Sequence, residues 1–122
     1  MRFERGWYYL ADLNPRRGTE PGKTRPVLVV QTDLLNEHGH LSTLVIPITT
    51  NKVEAPELRV RVSAGDPGFQ RECDLMVDQL RAIDNRRMLC KDGSAPLKRI
   101  AQADSAVMAE VEFRLKHILD LP

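Results

Sequence analysis

Every apolar run in this chain is too short to outlast one β-strand, and Gly, Pro, Asn or charge soon closes it. "GWYYLADL", residues 6–13, ends in "NPRRG", a turn signal of Asn, Pro and Gly. "PVLVVQTD", from Pro26, is a β-branched run of one strand's length. "STLVIPITT", residues 42–50, is another, in which Pro47 argues for an edge, a bulge or a strand end. "ELRVRVS" sets Leu58, Val60 and Val62 against Glu57, Arg59, Arg61 and Ser63, the period of two of a half-buried strand with its charged face in solvent. "DPGF" then marks a turn, and "CDLMVDQLRAI" supplies a fifth strand-like segment.

The period changes near the C-terminus. From Ala103 onward Val107, Val111, Leu115 and Ile118 recur every three or four residues, and Met108 and Leu119 widen the stripe. Glu110, Glu112, Arg114 and Lys116 lie off it, and Asp104 or Ser105 is the expected N-cap. The pattern predicts a mainly β domain with helical additions: five short strands bent into a small antiparallel barrel, closed by a C-terminal amphipathic helix of about four turns. At 122 residues, one domain spanning 1–122 with a single core is expected.

Composition narrows the function classes. No apolar stretch is long enough for a transmembrane helix, and "MRFERGWYY" carries charge where a signal peptide needs its apolar core. A cytoplasmic protein is therefore expected. Net charge is only +1, but residues 1–30 hold Arg2, Arg5, Arg16, Arg17, Lys23 and Arg25 against Glu4, Asp12 and Glu20. A basic N-terminal third suits phosphate contacts, and an ordinary solvated loop explains it too. Cys73 and Cys90 have neither metal-ligand spacing nor disulfide-framework density, so two reduced, buried thiols are expected.

Elimination disposes of several chemistries. His38 and His40 in "NEHGHL" lack a partner ligand at a recognisable interval, and His117 is far along the chain, so no metal is expected. Cys73 has no evident His partner, and "GTEPGK" lacks the phosphate-loop spacing. Asp74 and Asp78, four apart on a strand, fall on one face without further glycosidase features. No cofactor is expected. What remains is a connection of about twelve residues from Asn14 to Arg25, far longer than a hairpin turn, and two polar inserts, "PITTN" and "VDQLR". Pro26 holds Arg25 extended where that connection enters a strand. Arg25, Thr49 or Thr50, and Asp78 would make a phosphodiester site if the fold brings them together.

"RGWYYLADLNPRRGTEPGKTRPVLVVQTD", with "TLVIPITTN" and "DLMVDQLRAID", resembles the MazF/PemK family of toxin endoribonucleases from type II toxin–antitoxin pairs. The resemblance covers Arg5 to about Asp84, and the terminal helix suits it. It implies an SH3-like barrel of the MazF/PemK/CcdB type, acting as a homodimer. The implied activity is metal-independent cleavage of single-stranded RNA by ribose 2′-OH attack, leaving a 2′,3′-cyclic phosphate and a 5′-OH. Matched to the family pattern, Arg25, Thr49 and Asp78 are the implied catalytic residues. Arg17, Glu20, Lys23, Thr50, Asn51, Gln79 and Arg81 are the implied RNA-binding residues. Asp78 or Glu20 is expected to accept the 2′-OH proton, since Arg25 is a poor proton acceptor. The implied partner is an antitoxin with an acidic, disordered segment. Trp7 stands where family members often carry an acid, and "EHGH" has no counterpart in the pattern. A non-enzymatic, CcdB-like gyrase-binding toxin and an inactive SH3-like binding module are the competing readings.

Overall fold

The computed structural model describes residues 3–66, 68–88 and 99–122. Among these, seven strands form one antiparallel sheet: β1 (Trp7–Asp12), β2 (Thr24–Val29), β3 (Ser42–Thr49), β4 (Arg59–Val62), β5 (Cys73–Met76), β6 (Arg81–Asp84) and β7 (Arg99–Gln102). Two α-helices, α1 (Asp33–Glu37) and α2 (Ser105–Ile118), complete the described elements with two short 3₁₀ turns. The strand order is β4-β5-β3-β2-β1-β7, with β6 also on β3.

The bend of this half-barrel comes from β3. One edge of β3 pairs with β2 through Val27↔Pro47, Leu28↔Ile46 and Val29↔Val45. Along the other edge, Ser42 to Val45 pair with β6, whereas Ile48 and Thr49 pair with β5. The sheet folds over where the partner changes, and Pro47 sits in that gap. Its missing N–H therefore costs no ladder bond on that side. Pro47 is thus inside a central strand rather than at an edge or strand end, tolerated because of the partner switch.

Both faces of β1 and β2 are buried, which is why their sequences read as almost continuous apolar runs. Leu28 and Val30 join Tyr8, Ile46, Ile48, Val60, Val62, Leu75 and Val77 in one core, which Val107 and Val111 of α2 cover. Val27 and Val29 turn to the other side and pack with Phe3, Tyr9, Leu13, Val45, Ile83 and Met88. The single core expected from chain length is therefore two clusters on opposite faces of the sheet.

Several expectations need correction. "CDLMVDQLRAI" is two strands, β5 and β6, separated by a 3₁₀ turn at Val77–Gln79. Asp74 and Asp78 consequently do not share a face: Asp74 is fully buried and Asp78 is exposed. The charged face of β4 does meet solvent at Glu57, Arg61 and Ser63, with Arg59 half-buried, and both arginines in addition bond Asp74. α1, capped by Thr32 Oγ1 accepting from Leu34 N at 3.3 Å, and β7 had no sequence expectation. α2 follows its Asp104 N-cap as expected, but only its first part is buried; Ile118 and Leu119 are exposed. Cys73 is a free, buried thiol, and the expectation for Cys90 lies outside the described residues.

Candidate active site

The connection between β1 and β2 is tied at its base. Leu13 N donates to Lys23 O at 2.9 Å, and Lys23 N donates to Asn14 Oδ1 at 2.8 Å. Arg87 Nη1 grips the Asn14 carbonyl from outside at 2.7 Å. Gly22 is where the two arms touch: a Cβ there would lie 2.7 Å from Arg16 Cβ and 3.3 Å from Asn14 Oδ1. Gly22→Ala is expected to spread the arms, read as faster hydrogen exchange at the Lys23 amide than in the parent protein. Unchanged exchange there would refute this role for Gly22.

This anchored base aims Arg25. Its Nε donates to Gly22 O at 2.8 Å and its Nη1 to Ile48 O at 3.1 Å, so the guanidinium bridges the loop and the end of β3. Two of its five donors are used, and three N–H groups remain for an incoming acceptor. Among the described residues no carboxylate pairs with Arg25. Burial, with a smaller contribution from Arg16, disfavours its charge and lowers its pKa from the ordinary arginine value. An anion bound beside it would relieve both effects.

Arg25 lines a cleft of about 940 Å³. Glu20, Lys23, Thr49, Thr50 and Asn51 line it too, joining six of the sequence candidates in one place. Four cations, Arg16, Lys23, Arg25 and Arg71, face one carboxylate, Glu20, so the cleft is positive although the chain is nearly neutral. Thr49 Oγ1 accepts from Asn51 N at 3.1 Å, which leaves its hydroxyl hydrogen available to donate.

Arg17, Asp78, Gln79 and Arg81 are not among the lining residues. Arg17 is exposed on the loop, and Asp78 is exposed in the 3₁₀ turn after β5. Arg81 instead reaches the cleft's carboxylate from outside: its Nη1 lies 3.6 Å from Glu20 Oε2. Gly68, Phe69, Gln70 and Arg71, from the connection between β4 and β5, do line the cleft and had not been foreseen as a wall. Their only sequence signal is "GFQR", an aromatic with an amide and a cation in a turn. Phe69 also packs edge-on against Tyr8, with ring centroids 4.8 Å apart.

Cys73 lines the cleft as well, but burial first, and Asp74, Asp66 and Glu72 next, push its thiol up to about 11. It is a neutral thiol at neutral pH and a poor nucleophile. Because the thiol of the unfolded chain ionises near its ordinary value of 9.0, this group subtracts stability as pH climbs from about 9 towards about 11. Iodoacetamide at pH 8, followed by peptide mass mapping, is expected to leave Cys73 unmodified in the folded protein and to alkylate it after unfolding. Among the described residues no three His, Cys, Asp or Glu side chains converge to hold a metal ion. His38 Nδ1 lies 2.6 Å from the Leu34 carbonyl, at the end of α1.

Comparison with known proteins agrees with this architecture. "Endoribonuclease EndoA" of Bacillus subtilis is 32% identical, over 99% of this chain and 97% of its own length. "Endoribonuclease MazF9" of Mycobacterium tuberculosis is 31% identical, over 89% of this chain and 96% of its own. MazF from Deinococcus radiodurans shares the fold at 23% identity with a TM-score of 0.77, covering 99% of both chains. A MazE–MazF crystal structure from the same organism gives 0.76 at 23% identity, covering 100% of this chain and 99% of that one. Residues 4–119 match the family described as "PemK-like, MazF-like toxin of type II toxin-antitoxin system". With the match running through every described strand and both helices, the chain belongs to the PemK/MazF-like family of type II toxin–antitoxin toxins.

Proposed function

We propose that this protein is a toxin endoribonuclease that cuts single-stranded RNA without a metal ion. The observation that carries the reading is Arg25, locked by the Gly22 and Ile48 carbonyls in a positive cleft beside Thr49. In the proposed step the ribose 2′-oxygen bonds to the adjacent phosphorus and the bond from phosphorus to the 5′-oxygen breaks. The products are a 2′,3′-cyclic phosphate and a 5′-OH. Negative charge grows on the equatorial oxygens, where a planar guanidinium donates in pairs. The Thr49 hydroxyl donates to the same phosphate.

The 2′-OH proton needs an acceptor, and the leaving 5′-oxygen takes a proton from solvent water in the open cleft. Glu20 lines the cleft and Asp78 does not, so Glu20 is the better-placed of the two expected bases. RNA rather than DNA is the substrate because only RNA carries the nucleophile. A cognate antitoxin, the counterpart of MazE, is proposed as the partner, and its acidic, disordered segment would occupy the same positive cleft. A homodimer acting in the cytoplasm completes the reading. No helix among the described residues is long and apolar enough to cross a membrane.

The test is to incubate the purified protein with several long single-stranded RNAs in excess EDTA and map the new 5′ ends. Recurrent cuts bearing 5′-OH ends are expected. RNA left intact across all transcripts would overturn the reading in favour of a gyrase-type binder or an inactive module. Glu20→Gln is expected to slow cleavage by about 10²–10⁴-fold, whereas Asp78→Asn is expected to leave the rate within about threefold. The reverse ranking would return the base to Asp78.

A further inference from the structure

We propose that Arg59 is a positioning residue that holds the Thr49–Asn51 turn in register with Arg25, and that buried Asp74 exists to hold Arg59. The inference rests on the endoribonuclease reading for its kinetic consequence, though not for its structural one.

Thr49 ends β3, and directly opposite it across the ladder stands Asp74 of β5. From Thr50 to Glu54 the chain is exposed and outside regular structure. The hydroxyl that faces the cleft therefore sits where a rigid strand becomes a loose connection. Arg59 Nη1 crosses from β4 and donates to Asn51 O at 3.1 Å. The same nitrogen lies 3.3 Å from Asp74 Oδ2, so one atom ties the turn to a buried carboxylate. Among the described residues this segment is also tied by the Asn51 N–H to Thr49 Oγ1, by an exposed Lys52–Glu72 ion pair and by Ala55 N donating to Val53 O at 3.1 Å within the loop.

Arg59 is itself fixed. Its backbone is paired with Met76 in the β4–β5 ladder, and its carbonyl accepts from Arg114 Nε of α2 at 3.1 Å. Asp74 is fully buried, which is costly for a carboxylate and tolerable only with good partners. Arg61 Nε donates to its Oδ1 at 2.5 Å. Arg61 thus satisfies the carboxylate and meets the connection only indirectly, through Glu72 Oε1, which also pairs with Lys52, whereas Arg59 bonds both the carboxylate and the Asn51 carbonyl directly. A purely stabilising ion pair needs no reach to Asn51. A clamp on the catalytic edge does, because misplacement of a reacting group by about 1 Å costs up to ~10²-fold in rate.

The test compares Arg59→Met with Arg61→Met, each keeping an apolar stem and removing one guanidinium from Asp74. Backbone ¹⁵N order parameters at Thr50 and Asn51 are expected near about 0.85 in the parent and below about 0.6 in Arg59→Met. Arg61→Met is expected to leave them unchanged. Arg59→Met is also expected to lower kcat by about 10- to 100-fold with KM within about twofold. Should Arg59→Met not fold, Arg59→Lys keeps a cation for Asp74 without the forked reach and replaces it. Unchanged order parameters in the Arg59 variant, or equal loosening in both variants, would overturn the proposal. If the parent protein cuts no RNA, the endoribonuclease reading fails while the order parameters still decide this one.

Discussion

Arg25→Ala is expected to lower the single-turnover rate of RNA cleavage by about 10²–10³-fold while weakening binding of an uncleavable RNA by only about tenfold. The split follows from the geometry. Gly22 O and Ile48 O take the Nε and one Nη1 donor, which fixes the plane of the guanidinium before any substrate arrives. Such pre-aimed donors act mainly where charge grows during reaction. Ground-state attraction is shared with Arg16, Lys23 and Arg71, which remain in the variant. Arg25→Lys keeps the charge but cannot reach two carbonyls and a phosphate together, so it is expected to recover less than about a tenth of the lost activity. Equal losses in rate and binding would mean that Arg25 only attracts RNA. Gly22 and Ile48 are buried but both line the cleft, so water entering it can reach the two carbonyls that Arg25 leaves, and unfolding by urea is expected to change little.

Leu75→Ala is expected to cost about 2–5 kcal/mol of stability, a large share of the roughly 5–15 kcal/mol typical of a domain. Leu75 is fully buried in β5 and stands in register between Ile48 of β3 and Val60 of β4. Both neighbouring strands hold that gap open, so the space cannot collapse easily. Urea titration should show a lower midpoint with an unchanged slope. Leu41, 83% exposed, is the control, with an expected change within about 0.5 kcal/mol. A loss below about 1 kcal/mol at Leu75 would contradict the packing described here.

The strands that bury one or both faces were legible because alternation or β-branched runs record that burial. β1 to β4 and α2 were readable in this way. β7 was not: "RIAQ" carries four residues with no clear period, and its strand state depends on the register Trp7↔Gln102 with β1. The break between β5 and β6 was hidden by apolar continuity, because Val77 and Leu80 prolong the pattern of β5 through the turn. Asp74 was misread for the same reason. Its four-residue spacing from Asp78 suggested a shared face, whereas the 3₁₀ turn sends one carboxylate to two arginines and the other to solvent.

For the site, the Arg25–Pro26 junction and "PITTN" pointed to the cleft because each marks a strand end with polar chemistry. The family pattern in "VDQLR" did not, since Asp78 and Gln79 lie outside the lining and Arg81 meets it through Glu20. The wall from Gly68 to Arg71, apart from Pro67 which lies outside the described residues, was illegible because its position depends on packing across the sheet. A Cβ at Gly68 would approach Ile100 Cγ2 of β7 to 2.7 Å, a contact no local pattern announces.

The most direct measurement of the central claim uses an RNA oligonucleotide spanning one mapped cut site, with a single 2′-deoxy substitution at the nucleotide 5′ to the scissile phosphate. The protein acts in EDTA, and the products are resolved by mass spectrometry. The account expects the all-ribose strand to yield a 2′,3′-cyclic phosphate and a 5′-OH, and the substituted strand to survive at that position. Cleavage of the substituted strand at the same phosphate would contradict it, because the nucleophile would then not be the neighbouring 2′-OH.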